Sequence, residues 1–186
     1  MFSSKKFVAL LVGMAALVFS AAASADTYNI DGSHSSAYFS IKHLGVSYTQ
    51  GFFTKVSGSF ESDQSIDIVI DTASVYTADK KRDDHIKNAD FFNAKQHPKL
   101  TFKSTKVEKV SEGKFKVTGD LTIKGKTKSV TIDVTKVGEG KDPWGGYRMG
   151  YWTEFTINRA DFGVDYLPEG LSNEVNLRIS VEGIKK

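Results

Sequence analysis

Cysteine is absent from all 186 residues. That excludes thiol catalysis, thiolate metal sites and a disulfide framework. A domain without disulfides must draw its stability from its core or from a ligand. A strong excess of one charge is also missing, with 25 Lys and Arg against 22 Asp and Glu. Two of the lysines, Lys5 and Lys6, stand in the first segment, so the remainder lies closer still to neutrality and carries no nucleic-acid footprint. Internal repeats, low-complexity runs and linkers are lacking. So are His-x-His pairs, the His-Glu-x-x-His pattern and the hydrolase Gly-x-Ser-x-Gly.

Long apolar runs are missing too, apart from Phe7 to Phe19, which is short for a bilayer span. Lys5-Lys6 precede it and Ala23-Ser24-Ala25 follow it. A positive start, an apolar middle and small residues at the end make the pattern of a cleaved export signal over 1–25. No cysteine stands at the junction to carry a lipid anchor. The expectation is a single domain over 26–186, placed in the periplasm.

What the chain does have is alternation. Ile66, Ile68 and Ile70 share one parity, as do Phe115, Val117, Leu121 and Ile123. Val130, Ile132 and Val134 form a third set, and Val175, Leu177, Ile179 and Val181 a fourth. Period two with one apolar face means antiparallel strands with one wet side. The pattern predicts strands over 27–31, 35–43, 50–62, 64–73, 99–109, 113–124, 128–138 and 147–158, with a ninth near 173–184. Many antiparallel strands in a small domain make a sandwich or a closed barrel. Gly51, Gly58, Gly119 and Gly150 fall inside strand patterns, where glycine suits bulges and the coiling of a barrel.

Residues 79–92 break the alternation. Asp79 to Lys87 is dense in charge, contains His85 and predicts a short helix over 80–88, and Phe91-Phe92 follow. A charged cap beside two apolar rings fits the mouth of a greasy cavity, with Arg82, Asp83 and His85 as the rim. The competing reading is a solvated helix that plugs a barrel end. Asp83 and His85 would reach a metal only from an extended or irregular backbone, with His34 as a third ligand if the first strands lie nearby, and no metal site is expected there. Arg159 and Asp161 are expected to pair and pin a turn near 161–167. Lys124-Gly125-Lys126-Thr127-Lys128 reads as a solubilising turn.

Longer blocks carry a resemblance. Asp31-Gly-Ser-His-Ser-Ser-Ala-Tyr-Phe39-Ser-Ile-Lys-His43, Gly51-Phe-Phe, Arg82-Asp-Asp-His85-Ile with Asp90-Phe-Phe92, and Pro98-Lys-Leu-Thr-Phe102-Lys-Ser104 come in that order. Gly119-Asp-Leu-Thr-Ile-Lys-Gly125 and Ile157-Asn-Arg159-Ala-Asp-Phe162-Gly follow. Together they resemble YceI-like proteins across the whole chain after residue 25. The resemblance implies an all-β, lipocalin-like, extended antiparallel barrel of about eight strands with one short helix. It implies a periplasmic carrier for a long amphiphile (a polyisoprenoid, an isoprenoid quinone or a fatty-chain amide), with no catalytic residues and no cofactor beyond such a lipid. It leaves open a homodimer and transient contact with a membrane or lipid donor.

Parity and the resemblance together nominate the cavity wall: Phe39, Ile41, Phe52, Val56, Phe60, Phe102, Phe115, Val117 and Leu121, then Phe91, Phe92 and Trp152. The alternative is an enzyme acting on a lipid or quinone in the barrel, with Asp83 and His85 as its acid–base pair. A third reading is a barrel whose aromatic residues fill it solid. Intact-mass measurement of the exported protein is expected to give a chain starting near Asp26; a retained N-terminus would refute the cleaved signal.

Overall fold

A computed structural model describes residues 25–186. Residues 1–24, on which the export-signal expectation mostly rests, lie outside the described residues. The strands are β1 (Thr27–Ile30), β2 (Ser36–His43), β3 (Ser47–Phe53), β4 (Val56–Glu61), β5 (Ser65–Asp71), β6 (Val75–Tyr76), β7 (Lys99–Ser111), β8 (Lys114–Ile123), β9 (Lys126–Lys141), β10 (Tyr147–Asn158) and β11 (Leu171–Lys185), with one helix, α1 (Lys80–Ile86). All strand pairs are antiparallel, and β1, β4, β5, β7, β8, β9, β10 and β11 close into an eight-stranded ring where β1 returns to β11. This is the barrel alternative of the two architectures that alternation allowed.

The ring is not uniform along its axis. The C-terminal end of β11 pairs with β1, from Gly183 to Lys185, whereas its N-terminal part pairs with β2, from Leu171 to Ser180. Strands β3 and β6 then extend the wall beyond β2. One end of the barrel is thus closed by eight strands. The other is widened by three more, and α1 and the segment after it stand beside β6. Barrel width grows with strand number, so this asymmetry sets where space is left inside.

Local sequence explains the connections. Lys124 and Gly125 both adopt positive φ (48° and 73°) between Ile123 and Lys126, which pair directly. That is the primed two-residue hairpin whose twist matches the strands it joins. Gly58 has φ 129°, and a Cβ there would strike the Asp67 carbonyl, so only glycine fits that bend in β4. Helix α1 starts where the Asp79 carboxylate accepts the Arg82 N–H at 2.8 Å.

Several expectations shift. The strand expected over 50–62 is two strands, because the chain breaks at Thr54-Lys55, where the Thr54 N–H donates to the Ser74 carbonyl. The helix ends at Ile86 and not at residue 88. The turn expected at 161–167 is a 3-10 turn at Arg159–Phe162. Strand β9 runs on to Lys141, past the expected end at 138.

At the narrow end the core is solid. Tyr28, Phe60, Met149 and Val117 are each at most 2% exposed. Tyr28 stacks on Phe60 at 5.0 Å, and Phe60 meets Tyr151 edge-on at 5.2 Å. Gly183 leaves room for the Phe60 ring, since a Cβ there would come within 2.5 Å of it.

The rim of this end is held by charge. Arg148 donates from Nη1 to Asp31 (2.8 Å) and Glu182 (2.5 Å), and from Nε to Asp142 (2.9 Å). Asp31 also accepts from the Ser33 hydroxyl and meets His34 Nδ1 at 2.9 Å. The segment between β1 and β2 is thereby tied to β10 and β11. Hydrogen bonds from Ser33, Arg148 and His34 hold the Asp31 carboxyl well below the usual carboxylate range. A carboxyl lowered by folding stabilises the fold above its unfolded pKa of about 3.9, and that stabilisation fades as pH falls below it. The Asp31→Asn variant is expected to unfold at lower urea than the parent near neutral pH, with the gap shrinking below about pH 4. A gap that stays constant with pH would refute the linkage.

Candidate functional site

Inward parity alone does not make a cavity wall; the side chains must also fail to meet across the middle. Toward the wide end they do fail to meet. Phe39, Ile41, Ile66, Ile68, Ile70, Phe155, Ile157, Leu177 and Ile179 point inward by alternation, yet each is only half-buried. Their inner faces border empty space of about 520 Å³. The wall is overwhelmingly aliphatic and aromatic, the make-up of a site for an apolar molecule.

Tyr151 forms the floor. Its ring is 5% exposed and touches both this cavity and the packed end. Its hydroxyl donates to Asp63 Oδ1 at 2.8 Å, in the turn between β4 and β5. Burial and the Asp63 charge push its pKa up, so the phenol stays neutral.

The mouth is built by the segments around α1 and β11. His85 meets Phe91 edge-on at 5.1 Å and Tyr166 at 5.2 Å, and Phe91 meets Tyr166 at 5.2 Å. Phe92 packs against Phe53 at 5.8 Å. Lys124 joins the two sides of this structure, donating to the carbonyls of Ala89 and Gly163, each at 2.9 Å. The basic hairpin tip is therefore a tie between loops as well as a solvated turn. Arg82 reaches the cavity while donating to the Thr77 hydroxyl (2.8 Å) and carbonyl (2.6 Å).

The residues nominated by parity divide into three groups. Phe39, Ile41, Phe91, Phe92, Phe102 and Leu121 line the cavity. Phe60, Phe115 and Val117 face inward but lie in the packed end, where neighbouring rings fill the space before any ligand could, and Val56, across from Ile70 at the other end of β4, is buried in the core without bordering the cavity. Phe52 is a correction of a different kind, whereas Trp152 borders the cavity from an outward position. The break at Thr54-Lys55 reverses the parity of β3 relative to β4, so Phe53 points in and Phe52 packs outside between Tyr38 and Tyr76. Trp152 stands between the inward Tyr151 and Thr153 and is 38% exposed, so alternation leaves its ring on the outer face, although it touches the wall.

The expected rim also changes. Asp83 is 7% exposed and accepts from the Thr77 N–H (2.7 Å) and hydroxyl (2.6 Å), a buried contact that seats α1. His85 pairs instead with Asp90, Nε2 to Oδ2 at 2.8 Å. The two residues proposed as an acid–base pair thus have separate partners. His34 belongs to the Asp31 cluster at the far end of the barrel and cannot join them. That cluster brings Asp31, His34 and Glu182 within ligand range of one another, but the Arg148 guanidinium already bonds both carboxylates.

Arg159 is the largest departure. It was expected to pair with Asp161. It is 4% exposed and donates to four carbonyls: Ser172 (2.9 Å), Val164 (2.7 Å), Tyr166 (2.8 Å) and Leu171 (3.1 Å). Burial lowers its pKa, with Asp165 opposing. The alternation of β10 and β11 could have found Phe155, Ile157 and Leu177. Nothing in the alternation signals that the segment following Arg159, from Val164 to Ser172, folds back over it.

Comparison with known proteins agrees with this architecture. The YceI-like domain model matches residues 28–183. A UPF0312 protein of Vibrio parahaemolyticus is 41% identical over 172 residues, covering 88% of this chain and 90% of its own. The crystal structure of a Campylobacter jejuni YceI protein superposes with TM-score 0.71 at 36% identity, covering 78% of this chain and 90% of that one. A polyisoprenoid binding domain from Saccharophagus degradans shares the fold at TM-score 0.67 and 16% identity, covering 86% and 98%. By the family match and by this degree of identity, the chain belongs to the YceI-like domain family.

Proposed function

We propose that the protein is a carrier that holds a long-chain amphiphilic lipid in the wide half of its barrel and does no chemistry on it. The observation that carries this is the hollow itself: about 520 Å³ bounded by inward apolar side chains that stay half-buried because nothing meets them. A chain that fills it gains about 0.8 kcal/mol per buried methylene. Several isoprene units or a fatty chain then bind without specific polar contacts. The shared fold with a polyisoprenoid binding domain supports the lipid class. The separate partners of Asp83 and His85 favour a carrier over an enzyme using that pair. The space also weighs against a barrel filled solid by its own rings.

The reading includes export to the periplasm, where a water-insoluble chain needs a protein shell to cross between membranes. Transient contact with a membrane donor and a homodimer belong to the same proposal. Native mass spectrometry of protein purified from cells without detergent is expected to show a discrete hydrophobic adduct, and its mass also reads the oligomeric state. An adduct-free spectrum that persists after incubation with isoprenoid and fatty-chain lipids would refute the carrier. Phe92→Asp puts a charge in the wall and is expected to weaken lipid retention at least tenfold, about 1.4 kcal/mol or more. Unchanged retention would remove Phe92 from the site.

A further inference from the structure

The cavity is apolar, but its few ionisable groups are of one kind. Arg159, Arg82, His43 and His85 border it, together with tyrosines, and among the described residues no Asp or Glu does. A wall built only to exclude water has no reason to carry two guanidinium groups. One of them, Arg159, is buried and forms no salt bridge among the described residues; its bonds all go to carbonyls. Those bonds use four of its five N–H groups, from Nε, both of Nη1 and one of Nη2. One Nη2–H remains. Four carbonyl dipoles solvate the cation and Asp165 acts on it without a salt bridge, so the buried charge is only partly compensated, which is costly. Arg82 has Nη1 left over after its two bonds to Thr77.

We propose that the cavity selects amphiphiles whose headgroup carries a negatively charged oxygen, phosphate or carboxylate, and that Arg159 is the residue that reads it. The inference rests on the carrier reading and names the chemical class of its cargo. A headgroup lodged beside Tyr166 and Leu171 takes the free Nη2–H and supplies the missing negative charge in a dry setting, where charge-assisted hydrogen bonds are strong. Arg82, on another element of the same wall, adds donors of the same sign. An ammonium headgroup meets the like charge of two guanidinium groups there, and no carboxylate lines the wall among the described residues. The loop at Val164 to Ser172, which Arg159 clamps, becomes part of the recognition because it fixes the guanidinium in place.

The test is a series with one tail. Farnesyl phosphate, farnesoic acid, farnesol and farnesylamine are titrated into delipidated protein by displacement of a fluorescent fatty-chain probe. The two anions are expected to bind at least tenfold tighter than farnesol, with farnesylamine weakest. A preference for only one anion narrows the class to phosphate or to carboxylate. In Arg159→Gln the preference is expected to fall to about threefold or less with farnesol nearly unchanged, and Arg159→Lys, whose three N–H groups cannot serve four carbonyls and a headgroup, is expected to keep only part of it. The 31P resonance of bound farnesyl phosphate is expected to shift in the parent and to lose that shift in Arg159→Gln. Should Arg159→Gln fail to fold, the parent series decides: equal binding of all four headgroups, or tighter binding of the amine, overturns the proposal. Loss of the preference in Arg82→Ala but not in Arg159→Gln overturns the assignment to Arg159. If none of the four binds, the carrier reading itself fails.

Discussion

The sharing of β11 between two partners governs the rest of this structure. A strand has one hydrogen-bonding edge on each side, and β11 gives one of its edges to β1 at its C-terminal end and to β2 along its N-terminal half. Where β1 pairs, the ring closes on eight strands and its inward side chains meet. Where β2 pairs, β3 and β6 enter the wall and the side chains opposite no longer reach one another. A solid core and a hollow arise in one barrel from one change of partner. The arrangement also separates tasks. The packed end can supply stability without disulfides, which leaves the wide end free to stay under-filled.

Two arginines at opposite ends of β10 show how differently the same group can be used. Arg148, part-exposed, bonds three carboxylates and ties the chain termini of the barrel together. Arg159, buried at the cavity, has carbonyls for all its partners. The first is neutralised and structural. The second keeps a net charge beside an apolar space, which is the condition for acting on something that enters from outside.

The mouth follows from local chemistry that tertiary contacts redirect. The charged stretch from Asp79 to Lys87 forms a helix because Asp79 caps it, but its charges do not form a common rim. Asp83 turns inward to Thr77, and His85 turns outward to Asp90 while its ring face joins Phe91 and Tyr166. Phe91 and Phe92 diverge, one to the ring cluster at the mouth and one to Phe53 in the wall. Consecutive residues of a non-extended segment can serve two surfaces in this way, which alternation does not allow.

Alternation alone determined that the chain is antiparallel β with one apolar face, and the resemblance of its motifs added the barrel. Phe39, Ile41, Phe102 and Leu121 were legible as inward because a strand's side-chain period is two whatever surrounds it. The same rule misplaced Phe52, since a break at Thr54-Lys55 resets parity and leaves no mark in the alternation. It also could not separate Phe102 from Phe60 or Val117. All three face inward, but whether an inward residue meets a neighbour or a void depends on how many strands surround it at that height. Strand number at a given height is a property of pairing between distant segments. The environment of Arg159 is set nearer by, where the segment leading into β11 folds back over its guanidinium, a fold-back that side-chain period does not encode. Sequence carries the direction of each side chain because that is local geometry; only the closed structure decides what lies in front of it.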